Sequence, residues 1–134
     1  MNLKNKVAII TGAASGFGKG IAELYASKGA QVCVCDIKGQ GACHVAKSIG
    51  DQAIHVAADI SQQADVSKMA AETVNAIGGV DIMVNNAGST HRNQPMLNVD
   101  DEQFDRIFAV NVKAITWLPR KSCQLRRSAV AARS

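Results

Sequence analysis

Short apolar runs alternate along this chain with longer segments whose apolar residues return every three or four positions. Val7-Ala8-Ile9-Ile10 is the first run, and it ends at a glycine-rich turn, as a buried strand does. A helix is predicted from Gly16 to Lys28, with Phe17, Ile21, Leu24 and Tyr25 at helical spacing and Gly29 placed to end it. Val32–Cys35 predicts a second buried strand. Lys38–Ile49 predicts a helix loosened at its start by Gly39 and Gly41. Ala53–Ala57 reads as a third strand. The clearest helix follows: Val66, Met69, Ala70, Thr73, Val74 and Ile77 form one continuous face, and Gly78-Gly79 stops it. Val80–Val84 predicts a fourth strand and residues 89–99 a polar loop. Asp100 then caps a further helix, with Gln103 at the capping-box position and Phe104, Ile107, Phe108 and Ile115 on its buried face.

Strands separated by helical crossovers imply a parallel sheet with right-handed connections. Two apolar strands around a glycine turn make the mononucleotide-binding unit of a doubly wound fold. The predicted class is therefore α/β: a Rossmann-type doubly wound parallel sheet, incomplete at about four βα units, with strand order 3-2-1-4.

Composition sharpens the picture. A chain of 134 residues suffices for one domain. With 47% apolar but only 4% aromatic residues, its core must be aliphatic and alanine-rich, which suits parallel strands flanked by helices. The net charge of +4 is unevenly placed. Residues 119–134 hold Arg120, Lys121, Arg126, Arg127 and Arg133 and no acid. Taking those five from the 15 basic residues leaves ten against 11 acids in residues 1–118. The basic tail lacks interleaved aromatics, so a solvated, disordered end is expected there and no nucleic-acid partner. Cys33, Cys35, Cys43 and Cys123 show no zinc-ligand spacing, and reduced thiols in a cytoplasmic protein are expected. Neither a signal peptide nor a membrane-length apolar run is visible, so no membrane partner and no metal site are expected.

The candidate chemistry begins at Thr11-Gly12-Ala13-Ala14-Ser15-Gly16-Phe17-Gly18, between the first strand and the first helix. Gly12 suits a tight turn, Gly16 a close approach of backbone to a pyrophosphate, and Gly18 close packing of helix on sheet. Glycine turns also occur without ligands. Asp36 ends the second strand, 18 residues after Gly18. A carboxylate there can accept the adenine-ribose hydroxyls and repel a 2′-phosphate, which favours NAD over NADP; the plainer alternative is a helix-capping aspartate. Lys38 nearby softens the preference.

With the threonine before it, the order Gly-x-x-x-Gly-x-Gly resembles the short-chain dehydrogenase/reductase family. Three later marks test the resemblance. Asp59-Ile60 follows the third strand, where the family places an aspartate on the adenine amino group and a neighbour near the ring. Asn85-Asn86-Ala87-Gly88 follows the fourth strand, read as two buried amides beside small residues, and matches the family's Asn-Asn-Ala-Gly motif. Asn111 sits on the face of the last predicted helix, where the family's asparagine holds a water that serves a catalytic lysine; a satisfied core asparagine is the alternative. The resemblance implies a cofactor site of Thr11, Gly12, Ser15, Gly16, Phe17, Gly18, Asp36, Ile37, Asp59, Ile60, Asn86, Ala87 and Gly88, with NAD bound ahead of NADP. Residues 1–118 are then an NAD(P)-binding half-domain and residues 119–134 a basic tail.

The resemblance also implies hydride transfer between a nicotinamide and a secondary alcohol or ketone, with a small-molecule substrate. That chemistry needs a tyrosine whose phenol is made acidic enough by a lysine four residues later, and a serine on the reacting oxygen. Tyr25 is the only tyrosine here, it lies on a helix face read as core, and Gly29 stands four residues after it. Of the family's catalytic positions only Asn111 is matched. Ser122, Ser128 and Ser134 lie in the basic tail and are not substitutes. The expectation is an oxidoreductase by family that lacks the catalytic Tyr and Lys, or a non-catalytic nucleotide-binding chain or pseudoenzyme. The apolar period stops after Trp117-Leu118, and Pro119 would break the helix. A truncated or frameshifted reading frame is the expected cause. It would leave the fourth strand an open edge and put in question the homo-oligomers that the family forms. His91 and Arg92 either line a substrate entrance or are exposed loop residues.

Overall fold

A computed structural model describes residues 2–87 and 101–102. The elements follow in the order β1 (Val7–Thr11), α1 (Gly16–Ser27), β2 (Gln31–Asp36), α2 (Gly39–Ile49), β3 (Ala53–Ala57), α3 (Gln63–Ile77) and β4 (Ile82–Val84). All strand pairs are parallel, in the order β3-β2-β1-β4. This is the Rossmann-type order predicted from the alternation of runs.

The order dictates which face each helix covers. The β1-α1-β2 and β2-α2-β3 units step in one direction, and β3-α3-β4 steps back across β1. Right-handed crossovers then place α1 and α2 on one face and α3 on the other. The core divides accordingly. Ala8, Ile10, Val32 and Val34 pack with Ala22, Ala26, Ala42, Val45 and Ala46. Ile9, Cys33, Cys35 and Val56 pack with Val66 and Met69. Alternate residues of β1 and β2 feed the two layers, so Val7–Ile10 and Val32–Cys35 are apolar without a break.

Two predicted details are corrected. The apolar face of α1 is not the one that packs on the sheet: Phe17 is 87% and Leu24 48% exposed, and Gly18, Ala22 and Ala26 are the buried residues. Ile21 and Tyr25 are half-buried at the margin of that layer. The cause is distance, because a Cβ on Gly18 would run into the Gly12 carbonyl and the Asn86 side chain. In addition, β4 begins at Ile82, and Val80 is buried ahead of it. Between them Asp81 secures the approach to β1: Val7 N donates to Asp81 Oδ2 at 3.0 Å, and Asp81 N donates to Val7 O at 2.8 Å.

The predicted face of α3 holds, with Val66, Met69, Ala70 and Thr73 buried. Cys33 and Cys35 are buried free thiols on one face of β2. Asp101 and Glu102 are helical, while the polar loop 89–99 with His91 and Arg92, the rest of the helix from Asp100, Cys123 and the basic tail lie outside the described residues. Among the described residues no helix is long and apolar enough to cross a membrane, and no cluster of metal-ligating side chains occurs.

Candidate functional site

The strand ends that carry the predicted residues meet where the strand order reverses, between β1 and β4. Crevices at such reversals are where doubly wound sheets bind ligands. Thr11 closes β1 and is fully buried. Its hydroxyl donates to Val84 O at 3.3 Å and accepts from Asn86 N at 3.1 Å and Ala87 N at 3.0 Å. That uses the hydroxyl's one proton and both lone pairs. The Asn86 side chain adds a bond from Nδ2 to Gly12 O at 3.1 Å. A Cβ on Gly12, whose φ is +64°, would stand 2.9 Å from Ala87 Cα, so the turn and the β4 exit close on one another with no side chain between. Asn85 is exposed and only Asn86 is partly buried, which corrects the expectation of two buried amides. The chain turns there, with Asn86 N donating to Val84 O at 3.1 Å, and Asn85 at the bend is left outward.

The outer part of the turn is open. Gly16 has φ +59°, and nothing lies within 4 Å of where its Cβ would be. Ser15, at the N-cap of α1, makes no side-chain cap bond. The first-turn N–H groups of α1 are therefore left uncapped by the serine, with the positive end of the helix dipole behind them. An open glycine position against an uncapped helix start fits a pyrophosphate. Phe17 stands exposed on the same turn.

Asp36 stands two residues ahead of Lys38, the N-cap of α2, so it is not that helix's cap. Its Oδ1 accepts Lys38 N at 2.9 Å, as a residue ahead of a helix does. Its Oδ2 accepts Ala14 N at 3.0 Å, across to the turn. The carboxylate thus fixes the turn and the approach to α2 together. Gly41 was read from the sequence as a weak point of α2, but it is a point of close approach: its Cβ would lie 2.9 Å from the Ala14 Cβ. Ile37, beside Asp36, is 55% exposed.

The β3 exit lies alongside. Ala58 N donates to Asp36 O at 3.1 Å. Asp59 Oδ1 accepts from Ser61 N at 3.0 Å and from Ser61 Oγ at 2.6 Å, and Asp59 N donates to Asp65 Oδ2 at 2.8 Å. Ile60 is buried in the α3-side core. Ser61 and Asp65 were not found from the sequence, although an acid at the third position after an N-cap is a usable signal. Gly88 and Asn111 lie outside the described residues. Cys33 and Cys35 are no nucleophiles: burial pushes the Cys33 thiol up to about 11 and the Cys35 thiol further still, so both stay protonated near neutral pH.

Sheet order and turn define a Rossmann-type α/β protein, and comparison with known proteins gives the family. The profile of the short chain dehydrogenase family matches residues 6–128. 4-Formylbenzenesulfonate dehydrogenase of Comamonas testosteroni is 43% identical over 120 residues, which is 87% of this chain and 48% of that protein. The crystal structure of a 3-ketoacyl-(acyl-carrier-protein) reductase from Brucella melitensis, complexed with NADH, is similar at 48% identity and TM-score 0.86, over 90% of this chain and 49% of that one. A metagenomic short-chain oxidoreductase in complex with NADP is similar at 31% identity and TM-score 0.86, over 95% of this chain and 59% of that one. The chain belongs to the short-chain dehydrogenase family, an oxidoreductase family that binds nicotinamide cofactors. It spans about half the length of the curated relatives it matches.

Proposed function

We propose that this chain binds NAD ahead of NADP, and that its 134 residues bind the dinucleotide without turning it over. One observation carries the preference: the Asp36 carboxylate is held at the end of β2 against the phosphate turn by Ala14 N and Lys38 N. Each carboxylate oxygen keeps a lone pair beyond the backbone bond it accepts, so Asp36 can also accept the hydroxyls of an adenine ribose. A 2′-phosphate would meet the same negative charge at close range.

The other residues follow from their places. Thr11, Gly12 and Gly18 shape the turn. Ser15, Gly16 and Phe17 begin α1, whose first-turn N–H groups hold the pyrophosphate. Asp59 accepts from the adenine amino group, flanked by Ile37 and Ile60. Asn86 and Ala87, with Gly88 beyond the described residues, frame the nicotinamide side. When bound, the nicotinamide ring gives or takes a hydride. At family level the substrate is a secondary alcohol or ketone. General acid/base work on it needs a tyrosine with a lysine four residues later, and no such pair occurs in this sequence. Asn111 is the only catalytic position matched. Binding without turnover is favoured on that ground.

Calorimetric titration with NAD and NADP tests the reading. The chain is expected to favour NAD, and Asp36→Ala to shrink that preference by about tenfold, one lost charge interaction. An unchanged ratio would make Asp36 purely a structural tie. No NADH is expected to form with simple secondary alcohols; sustained NADH formation would overturn the non-catalytic reading.

A further inference from the structure

We infer that Asp65 is a positioning residue for the adenine end of the site and acts through Asp59. The inference rests on the reading above that Asp59 accepts the adenine amino group. Asp65 lies in the first turn of α3, three residues after the N-cap Gln62. An acid at that position usually folds back onto the N–H of the N-cap residue itself. Here that N–H is already used, since Gln62 N donates to Asp59 O at 2.9 Å. The Asp65 carboxylate reaches past it instead, and Oδ2 accepts Asp59 N at 2.8 Å.

The result is that Asp59 is held at nearly every polar atom. Its N–H is bound by Asp65, its carbonyl by Gln62 and its Oδ1 twice by Ser61. Oδ2 alone has no partner among the described residues. The backbone bonds on either side fix where the side chain starts, and Ser61 fixes its rotation. A carboxylate ordered in this way loses little further freedom when a donor arrives, which is how a preorganised acceptor gains affinity. The strand beside it is that of Asp36, in register at Asp36 and Ala57, so the ordered Oδ2 belongs to the same end of the sheet as the ribose carboxylate. Asp65 itself contributes one acceptor atom to a backbone N–H. A neutral amide oxygen can do the same.

The test compares NAD with nicotinamide hypoxanthine dinucleotide, which carries a carbonyl where adenine has its amino group. Dissociation constants of both are measured by calorimetry on the full chain. The wild type is expected to favour NAD. Asp65→Ala is expected to shrink the affinity ratio by about three- to tenfold, the range of one hydrogen bond's net effect. Asp65→Asn, which keeps the acceptor, is expected to preserve the ratio. Ser61→Ala carries the same test if Asp65→Ala does not fold, and is expected to shrink the ratio as well. Equal weakening of both dinucleotides by Asp65→Ala, with the ratio unchanged, overturns the role of Asp65 and leaves that of Asp59 standing. A wild type that binds both equally, or binds neither, overturns the adenine reading of Asp59 and this inference with it.

Discussion

The two faces of the sheet are built on opposite principles. On the face under α1 and α2 the helices meet the sheet through small residues: Ala22, Ala26, Ala42 and Ala46 are buried there, with Ala8 of β1 beneath them. The face under α3 holds the longer side chains, with Ile9, Val66 and Met69 beside the two thiols of β2. The first face brings backbone to backbone, and that closeness lets the glycine turn sit against Asn86, Ala87 and the start of α2. The second face fills space. Mutations should therefore fail in opposite directions on the two faces, by adding volume on one and by removing it on the other.

Met69 gives the largest contrast. It is fully buried in the α3-side layer, so Met69→Ala leaves a cavity among Ile9, Cys33 and Val66 and should cost about 2–5 kcal/mol of stability. Chemical denaturation measures this. A loss well under 1 kcal/mol would show that α3 collapses onto the gap and that this face is not tightly filled. Ala22→Leu probes the other face. Ala22 has no exposed surface and sits in the layer where α1 lies against the sheet, so the added atoms must push α1 outward, at about 1–3 kcal/mol. Because α1 starts at the glycine turn, the same change should weaken NAD binding by more than Met69→Ala does. Equal effects on binding would erase the distinction between the faces.

The difference also explains what the sequence revealed. The α3 face was legible because Val66 and Met69 are large and apolar, and Ala70 and Thr73 continue them at helical spacing. On α1 the same reasoning chose Phe17 and Leu24, which are exposed, over Gly18, Ala22 and Ala26. Small residues carry little hydrophobic signal, yet only they allow the approach that the turn demands. In the candidate site, Thr11, Gly12, Gly18, Asp36 and Asn86 could be named because side chains or forced glycines do their work at the strand ends. Ala14, Gly41 and Asp65 were not. Ala14 acts through its backbone N–H, Gly41 through an absent side chain, and Asp65 by reaching a residue six positions earlier in the chain.

The smallest expected effect follows from the two buried thiols of β2, which lie in the α3-side layer. Burial raises the Cys33 thiol from 9.0 to about 11, with a lesser contribution from the Glu72 charge, and Thr73 works the other way. The folded state thus holds the Cys33 proton to higher pH than the unfolded chain does. Stability from this group is full below pH 9 and is lost as pH rises toward 11, because the unfolded state releases its proton first. At pH 10 the loss should be about 1 kcal/mol relative to pH 7. Cys35, raised further for the same reason, adds a loss of the same sign. The measurement is a difference: denaturation of wild type and Cys33→Ala at pH 7 and pH 10. Cys33→Ala should be less stable at pH 7, since it leaves a small gap beside Met69, and should lose less on going to pH 10. If wild type and variant lose the same amount between the two pH values, water reaches the α3-side layer. The contrast between a filled face and a close-packed one would then need another basis.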